Sequence, residues 1–297
     1  MTILTVKDLA VNFETADGQV NAVRGISFEV AAGECLGIVG ESGSGKSQSA
    51  LAAMGLLAEN GRASGEILFN GTNMITAGKP ELRKIRGAEM SMIFQDPLTS
   101  LTPHMTVGAQ MREILALHQG VKGAEATRRC VEWLEHVRIP EAARRLDQFP
   151  HELSGGMRQR VMIAIAMLCG PKLLIADEPT TALDVTVQAQ VLELMDELKR
   201  DTGTGIVLIT HNMGVVARMC DRVIVMRHGE IVEQGKTDDI FYAPQHPYTK
   251  MLLAAVPRID LPDPPGRAAL SPAPAPDVAP VLEVDARHGR QKHLRVR

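Results

Sequence analysis

The chain has 297 residues, of which 45% are hydrophobic and 23% charged, so it has ample material for a buried core. Its formal net charge of −3 gives no electrostatic reason to expect a nucleic-acid partner. The longest apolar stretch, residues 161–169, is about half the length that spans a bilayer. Four cysteines are scattered without a C-x-x-C pair, which predicts reduced core residues rather than metal ligands.

The first elements of the chain predict strands around a glycine-rich loop. Residues 3–11 and 20–30 are typical of strands, and residues 35–39 form a short apolar run typical of a buried strand. The pattern G-x-x-x-x-G-K-S follows at once, and residues 48–57 then form a plausible helix. A strand, a glycine turn and a helix N-terminus together make a phosphate cradle, because backbone N–H groups and the helix dipole face the anion. The predicted phosphate-binding residues are Gly40, Glu41, Ser42, Gly43, Ser44, Gly45, Lys46 and Ser47.

Two side chains of this loop suit nucleotide chemistry. The Lys46 ammonium can reach the β- and γ-phosphates, and the Ser47 hydroxyl can ligate Mg²⁺. The alternative is a glycine-rich turn that carries a chance lysine. The flanking strand and helix favour nucleotide binding.

The middle of the chain predicts helices inserted into an alternating pattern of strands and helices. Residues 107–118 and 124–137 are helical in pattern, within a segment that is poor in strand residues. Residues 172–177 and 205–210 are continuously apolar, as expected of parallel strands that are covered on both faces. Strand and helix alternation predicts an α/β fold, with helices on both sides of a parallel sheet.

Two further motifs suit phosphate chemistry. Asp177 and Glu178 end a predicted strand, where Asp177 can support Mg²⁺ and Glu178 can orient or polarise an attacking water. The alternative is a solvated acidic pair. Ser154, Gly155 and Gly156 precede an apolar helix and predict a second anion site, which makes sense if it serves the nucleotide of another subunit. The alternative is a plain N-cap at Ser154.

Taken together, these motifs resemble the ATP-binding subunits of ABC transporters. The resemblance covers roughly residues 1–257 and rests on GESGSGKS, Gln95, LSGGMRQR, LLIADE, residues 182–184 and His211, in the family's order. It implies a P-loop NTPase (RecA-like) α/β core with an antiparallel β subdomain and an inserted α-helical subdomain at roughly 97–160. Residues 258–297 are rich in proline and predict a linker or tail.

The same resemblance implies ATP and Mg²⁺ as ligands and assigns roles around the phosphates. Ser47, Gln95 and Asp177 would be the metal ligands, and Glu178 the catalytic carboxylate. His211 would contact the γ-phosphate, with Lys46 and Gln95 as further catalytic residues.

It also implies a head-to-tail pair with a second ATPase subunit, of the same or a homologous chain. Ser154, Gly155 and Gly156 would reach the ATP of the partner, and Asp184 would lie in the loop that couples the two sites. Phe13 would stack on adenine, and the alternative for it is an ordinary core phenylalanine.

Two segments narrow the resemblance to importers of dipeptides, oligopeptides, glutathione and nickel. They are FQDPLTSL at residues 94–101 and HPYT at residues 246–249. This implies an ATPase that energises import of peptides or similar small solutes, peripheral on the cytoplasmic face of the inner membrane. Its partners would be two permease subunits and, indirectly, an extracytoplasmic substrate-binding protein. The alternative is a non-transport ATPase of the same fold in nucleic-acid repair or translation, for which we expect a long coiled-coil insertion or a basic face.

Three departures from the family pattern and one internal echo lead to smaller expectations. Gln48 and Ser49 open the helix where Thr or Val is common. Asn212 stands where Asp is more usual, which should matter little if His211 keeps its pose. The cysteine cluster that many relatives carry after HPYT is missing from the sequence, which predicts no iron–sulfur cluster. Residues 281–285 echo residues 3–8, so a vestigial second cassette is a hypothesis, with chance composition as its alternative.

Overall fold

A computed structural model describes residues 1–16, 18–95, 100–181 and 183–255. The predictions that fall on residues 258–297, including the linker, the missing iron–sulfur cluster and the vestigial cassette, lie outside this part. The described strands are β1 (Thr2–Thr15), β2 (Gly18–Ala31), β3 (Cys35–Val39), β4 (Gly61–Phe69), β5 (Thr72–Asn73), β6 (Met90–Ile93), β7 (Leu173–Asp177), β8 (Gly205–Ile209), β9 (Arg222–Arg227) and β10 (Glu230–Lys236).

The helices within the same described ranges are α1 (Lys46–Met54), α2 (Lys79–Ile85), α3 (Val107–Gln119), α4 (Gly123–His136), α5 (Ala142–Arg145), α6 (Gly155–Met167), α7 (Val185–Thr202), α8 (Met213–Met219), α9 (Thr237–Tyr242) and α10 (Pro247–Ala254). A short 3₁₀ turn at Pro150–Glu152 precedes α6. The two predicted helices of the insertion correspond to α3 and α4 within one or two residues. The predicted subdomain limit near residue 160 falls inside α6.

The N-terminal part forms an antiparallel sheet of order β2-β1-β4-β5. Strand β1 lies between β2 and β4 and pairs antiparallel with both. The turn from β4 to β5 uses Asn70 (φ 47°) and Gly71 (φ 86°), because a tight hairpin requires positive φ at both central residues. This sheet is the antiparallel β subdomain that the resemblance implies.

The second sheet has the order β10-β9-β3-β8-β7-β6. Strands β9, β3, β8, β7 and β6 are parallel, and only β10 in this sheet runs antiparallel. Strands β3, β7 and β8 are buried along their whole length. Alternate residues of β7 and β8 enter two different cores, one shared with α3, α4 and α6–α8, the other with the antiparallel sheet and α1. This two-sided burial explains the continuous apolar runs, and the predicted fold class is confirmed.

Candidate functional site

The candidate site lies where the parallel strands end. Residue pairs Ile38–Ile209, Asp177–Ile209 and Ile93–Ala176 are in register, so β3, β8, β7 and β6 end at one edge of the sheet. The phosphate loop follows β3, the acidic pair closes β7, His211 follows β8 and Gln95 follows β6. In open α/β sheets, ligands bind at this carboxyl edge.

Two glycines give the phosphate loop its close fit. Gly40 has φ 152° and Gly45 has φ 99°, values that side chains rarely adopt. A Cβ at Gly40 would overlap the carbonyl oxygen of Met226, and one at Gly45 would overlap that of Ala22. Larger residues at either position would therefore force the loop away from its neighbours.

The Lys46 side chain lies folded within its own loop. Its Nζ donates to the carbonyl oxygens of Gly40 and Glu41, both at 2.8 Å, and to Ser44 Oγ at 3.4 Å. The residue is only 6% exposed. Burial lowers the pKa of Lys46, and the nearby negative charges of Glu178 and Asp177 oppose that shift.

Asp177 has the features of a metal-ligand site. Its Oδ1 is buried and has no hydrogen-bond partner among the described residues. Burial raises the pKa of Asp177, while a hydrogen bond with the Ser47 side chain opposes the rise. An unpaired buried carboxylate oxygen beside a hydroxyl is costly by itself and suits a hard divalent cation, so the residues present fit Mg²⁺.

Glu178 is the centre of a cluster of polar side chains. Its backbone has φ 48°, an unusual value for a residue with a side chain, and its N–H donates to Ile209 O at 2.8 Å. Thr181 Oγ1 at 2.8 Å and Gln95 Nε2 at 3.3 Å donate to Glu178 Oε2. His211 Nδ1 lies 3.1 Å from Oε1. Glu178, Gln95 and His211 were each predicted as site residues, and both Gln95 and His211 contact Glu178.

These neighbours keep the Glu178 carboxyl ionised. Burial by itself raises the pKa of Glu178, but hydrogen bonds from His211 and Thr181, together with the positive charge of Lys46, outweigh it and hold the pKa lowered. Thr181 was not predicted as a site residue. The signal in the sequence that could have indicated Thr181 is its hydroxyl, three residues after Glu178.

The backbone that follows His211 is held by an N-cap on the next helix. Asn212 caps α8, because its Oδ1 accepts from the N–H groups of Gly214 at 3.0 Å and Val215 at 3.3 Å. The Asn212 N–H in turn donates to Thr210 Oγ1 at 3.0 Å. Asparagine and aspartate are similar N-caps, so the substitution keeps the backbone beside His211 in place.

The residues predicted to face a partner act as helix caps within this chain. Ser154 Oγ accepts from Met157 N at 3.3 Å, and Asp184 Oδ1 accepts from Val187 N at 2.9 Å. Both residues are exposed at the starts of α6 and α7. Gly156 packs so closely on Val187 that a Cβ would overlap it, which joins the two helix starts. Within the single chain, Ser154 therefore acts as a helix N-cap, which is the alternative given for it above. Its contact with a second nucleotide stays a prediction.

Phe13 is partly buried near the end of β1. It lies opposite Val20 on β2 and Gly61 on β4, and its ring would overlap a Cβ at Gly61. The ring also packs against the core of the antiparallel sheet. These contacts are the ones expected of a core phenylalanine, which is the alternative for Phe13. Stacking of its ring on adenine stays a prediction.

Comparison with known proteins shows to which family the chain belongs. The family described as ABC transporter matches residues 23–181. The oligopeptide transport ATP-binding protein OppD of Salmonella typhimurium is 58% identical over 258 residues, which cover 87% of this chain and 77% of that protein. The chain belongs to the ABC transporter family. A second family, described as the C-terminal region of oligopeptide/dipeptide transporters, matches residues 232–279.

Other ABC transporter proteins agree with this result. The dipeptide transport ATP-binding protein DppD of Bacillus subtilis is 51% identical over 261 residues, covering 87% of this chain and 78% of that protein. A solved dimeric bacterial ABC transporter cassette, MJ0796, has a TM-score of 0.69 and 28% identity, covering 79% of this chain and 98% of that one. A post-hydrolysis dimer of the same cassette, bound to ADP and phosphate, has a TM-score of 0.71, 27% identity and the same coverage.

The predicted family and activity are confirmed by these matches. The chain is an ABC-type ATPase whose ATP hydrolysis is coupled to transport, and nothing in the comparisons favours the non-transport alternative. Its association with a membrane follows from the same membership. Among the residues that the structure describes, no helix is both long and apolar enough to cross a bilayer.

Proposed function

We propose that this ATPase drives an importer of peptides, and that hydrolysis takes place at Glu178. The observation that supports this most directly is the cluster around Glu178, where Gln95, Thr181 and His211 from three different segments meet one carboxylate. A carboxylate that is ionised and lies next to a phosphate loop is able to accept a proton from an attacking water.

The proposed chemistry is in-line hydrolysis of the γ-phosphate. Gly40–Ser47 hold the phosphates through backbone N–H groups, and Lys46 exchanges its bonds to Gly40 and Glu41 for phosphate oxygens. The water oxygen attacks the γ-phosphorus while its proton moves to Glu178, and the bond to the β–γ bridging oxygen breaks. His211, whose side chain is 65% exposed, would contact the γ-phosphate. ADP and inorganic phosphate leave, and the proton returns to solvent.

Mg²⁺ is part of the proposal, with Ser47, Gln95 and Asp177 as its protein-side ligands. The support is the buried, unpaired Asp177 Oδ1 beside the Ser47 hydroxyl. When bound, the ion would neutralise charge on the β- and γ-phosphate oxygens.

The active form is proposed to be a head-to-tail pair with a second ATPase subunit. Ser154, Gly155 and Gly156 would complete the ATP site of the partner, and Asp184 would link the two sites. Phe13 would stack on the adenine of the chain's own ATP. The exposed positions of Ser154 and Asp184 at two joined helix starts support this arrangement.

Two permease subunits are the proposed membrane partners, with an extracytoplasmic substrate-binding protein acting indirectly and the ATPase on the cytoplasmic face. A groove of about 320 Å³ beside Gln95 supports a docking role for this side of the helical insertion. Apolar residues that line it include Phe94, Leu101, Ile114 and Ile165. The names of the relatives, oligopeptide and dipeptide transport proteins, support peptides as the solute. We further propose that residues 1–257 form the nucleotide-binding domain and 258–297 its tail.

The decisive experiment uses Glu178→Gln, which should bind ATP and hardly hydrolyse it. Light scattering after size exclusion, with and without Mg-ATP, reports its mass. An ATP-dependent dimer that Ser154→Arg abolishes would support the paired site and show that the chain pairs with itself. A monomer that binds ATP would instead require a homologous partner chain. Failure to bind ATP would contradict the assignment of Gly40–Ser47.

A further inference from the structure

The C-terminal segment of the described chain contacts the phosphate loop directly. Tyr248 on α10 accepts a hydrogen bond through its hydroxyl oxygen from the Glu41 N–H, at 3.1 Å. The two residues are 207 positions apart in the sequence. Glu41 is the second residue of the phosphate loop, so a side chain from the HPYT motif contacts the loop that cradles the phosphates.

The Tyr248 side chain is held firmly in this position. It is only 3% exposed, and the Arg227 guanidinium lies over its ring, 4.8 Å from the centroid. His246 caps α10, because its Nδ1 accepts from Tyr248 N at 3.2 Å. Ordering of the ring therefore does not depend on a bound nucleotide.

The start of α10 is fixed to the parallel sheet as well. The Glu233 carboxylate of β10 accepts from the N–H groups of Gln245 at 2.7 Å and His246 at 3.1 Å. These bonds help to hold the pKa of Glu233 lowered against the effect of burial, so the carboxylate stays charged. The helix that carries Tyr248 is thus anchored to β10 at the residues just before it begins.

Glu41 is held from both sides. Its N–H donates to Tyr248, and its carbonyl oxygen accepts from Lys46 Nζ at 2.8 Å. If Lys46 turns to phosphate oxygens, Glu41 keeps its bond to Tyr248 and the bond from the Ser44 N–H to its carbonyl oxygen, at 3.2 Å. A loop already ordered before binding loses less conformational entropy when the ligand arrives.

We propose that Tyr248 is a positioning residue for the phosphate loop, through which the segment that starts at His246 sets the affinity of the site for nucleotide. The inference rests on the proposed function of Gly40–Ser47. It gives the HPYT motif a task at the ATP site of its own chain. Tyr248 touches the loop rather than the reacting atoms, so its effect falls on binding rather than on the chemical step.

The test compares Tyr248→Phe with the matched control Tyr242→Phe. Tyr248→Phe removes only the hydroxyl and keeps the ring beneath Arg227, while Tyr242 on α9 is 86% exposed. Calorimetric titration with Mg-ADP should show Kd raised about 3- to 10-fold for Tyr248→Phe, the range for loss of one hydrogen bond, and unchanged for Tyr242→Phe. KM for ATP should rise in parallel, with kcat at saturating ATP and the melting temperature preserved.

A purely structural role would lower the melting temperature or kcat and leave Kd unchanged, and that pattern would overturn the proposal. Lys46→Ala serves as the separate check on the phosphate loop. If Lys46→Ala loses Mg-ADP binding while Tyr248→Phe matches the wild type, the proposed function stands and this inference fails. If Lys46→Ala binds normally, the assignment of the loop itself fails.

A spectroscopic signature is available because the chain contains two tyrosines. Incorporation of 3-fluorotyrosine should give two ¹⁹F resonances, and Tyr242→Phe assigns them. Mg-ADP should shift the Tyr248 resonance and leave that of Tyr242 in place. An unmoved Tyr248 resonance under saturating Mg-ADP would contradict the proposal.

Discussion

The two halves of the proposed ATP site are built in different ways. On the phosphate side, defined by Gly40–Ser47, Asp177 and Glu178, both Lys46 and Asp177 are buried, and Lys46, Asp177 and Glu178 have hydrogen-bond partners within the chain. On the signature side, defined by Ser154–Gly156 and Asp184, each polar side chain caps its own helix and remains exposed. This difference leads us to propose that nucleotide binding needs only this chain, whereas hydrolysis needs a second surface. The following predictions test that division.

The largest effect is expected on the phosphate side, from Glu178→Gln. An amide cannot accept the proton of the attacking water, so kcat should fall about 10²- to 10⁴-fold while ATP binding persists. Steady-state phosphate release and titration with Mg-ATP measure the two quantities. Glu193→Gln, an exposed glutamate that pairs with Arg138, is the matched control and should retain full turnover. More than a tenth of wild-type turnover in Glu178→Gln would show that another group is the base.

A substitution on the signature side should likewise lower hydrolysis and keep nucleotide binding. Ser154→Asp preserves the N-cap of α6, so stability should be unchanged, but it places a negative charge where the phosphates of a partner would lie. Turnover should therefore fall at least about tenfold, while the Kd for Mg-ADP stays within about twofold of the wild type.

Ser154→Ala is the complementary variant, because it removes the cap without adding charge. It should cost about 1 kcal/mol of stability. If Ser154→Asp keeps full turnover, Ser154 is only a helix cap and the partner role of this side is wrong.

Asp177→Asn tests the electrostatic cost of the buried carboxylate on the phosphate side. Because burial raises the pKa of Asp177 above its ordinary value of 3.8, the stability linked to its protonated form is fully present below that value. It is lost as the pH rises through the raised pKa. Without Mg²⁺, the Asn variant should therefore melt higher than the wild type at neutral pH, by about 2–4 °C for each kcal/mol relieved. The difference should shrink on acidification, and equal melting temperatures at every pH would contradict the assigned cause.

The smallest effect is expected beside His211. Asn212→Asp keeps an N-cap on α8 and places a negative charge at a helix N-terminus, so stability should change by about 0.5 kcal/mol or less. Asn212→Ala should cost about 1 kcal/mol, because the N–H groups of Gly214 and Val215 lose their acceptor. Chemical denaturation measures both. A large loss of turnover in Asn212→Asp would mean that asparagine has a specific role next to His211.

Much of the fold follows from local patterns in the sequence. The bounds of β3 agree with the apolar run at 35–39, and the face of α7 formed by Val191, Leu194, Met195 and Leu198 is buried as its spacing predicts. Helix α1 begins at Lys46 and ends before Gly55, whose φ of 64° terminates it, although the apolar pattern continues to Leu57. Where local chemistry alone decides an element, the sequence is sufficient.

Contacts between distant segments could not be predicted in the same way. Nothing near Tyr248 in the sequence indicates that its hydroxyl meets Glu41, and the Sγ atoms of Cys35 and Cys220, 185 residues apart, lie 3.7 Å from each other in the core. Thr181 was missed because a threonine in a turn has many ordinary uses. The partners of Tyr248 and Cys220 depend on which distant segments are neighbours, and this becomes known only when the sheet order is known.

The folded position of Lys46 has a consequence for any chemist who wishes to block this ATPase. Within the chain the ammonium has three oxygen acceptors, from Gly40, Glu41 and Ser44. An uncharged compound that enters the loop would have to replace these acceptors, and it could offer the ammonium only weak hydrogen bonds. A polyanionic compound replaces those acceptors with stronger ones. The loop therefore favours anions, and fragment libraries rich in phosphate or carboxylate mimics are the ones expected to yield inhibitors.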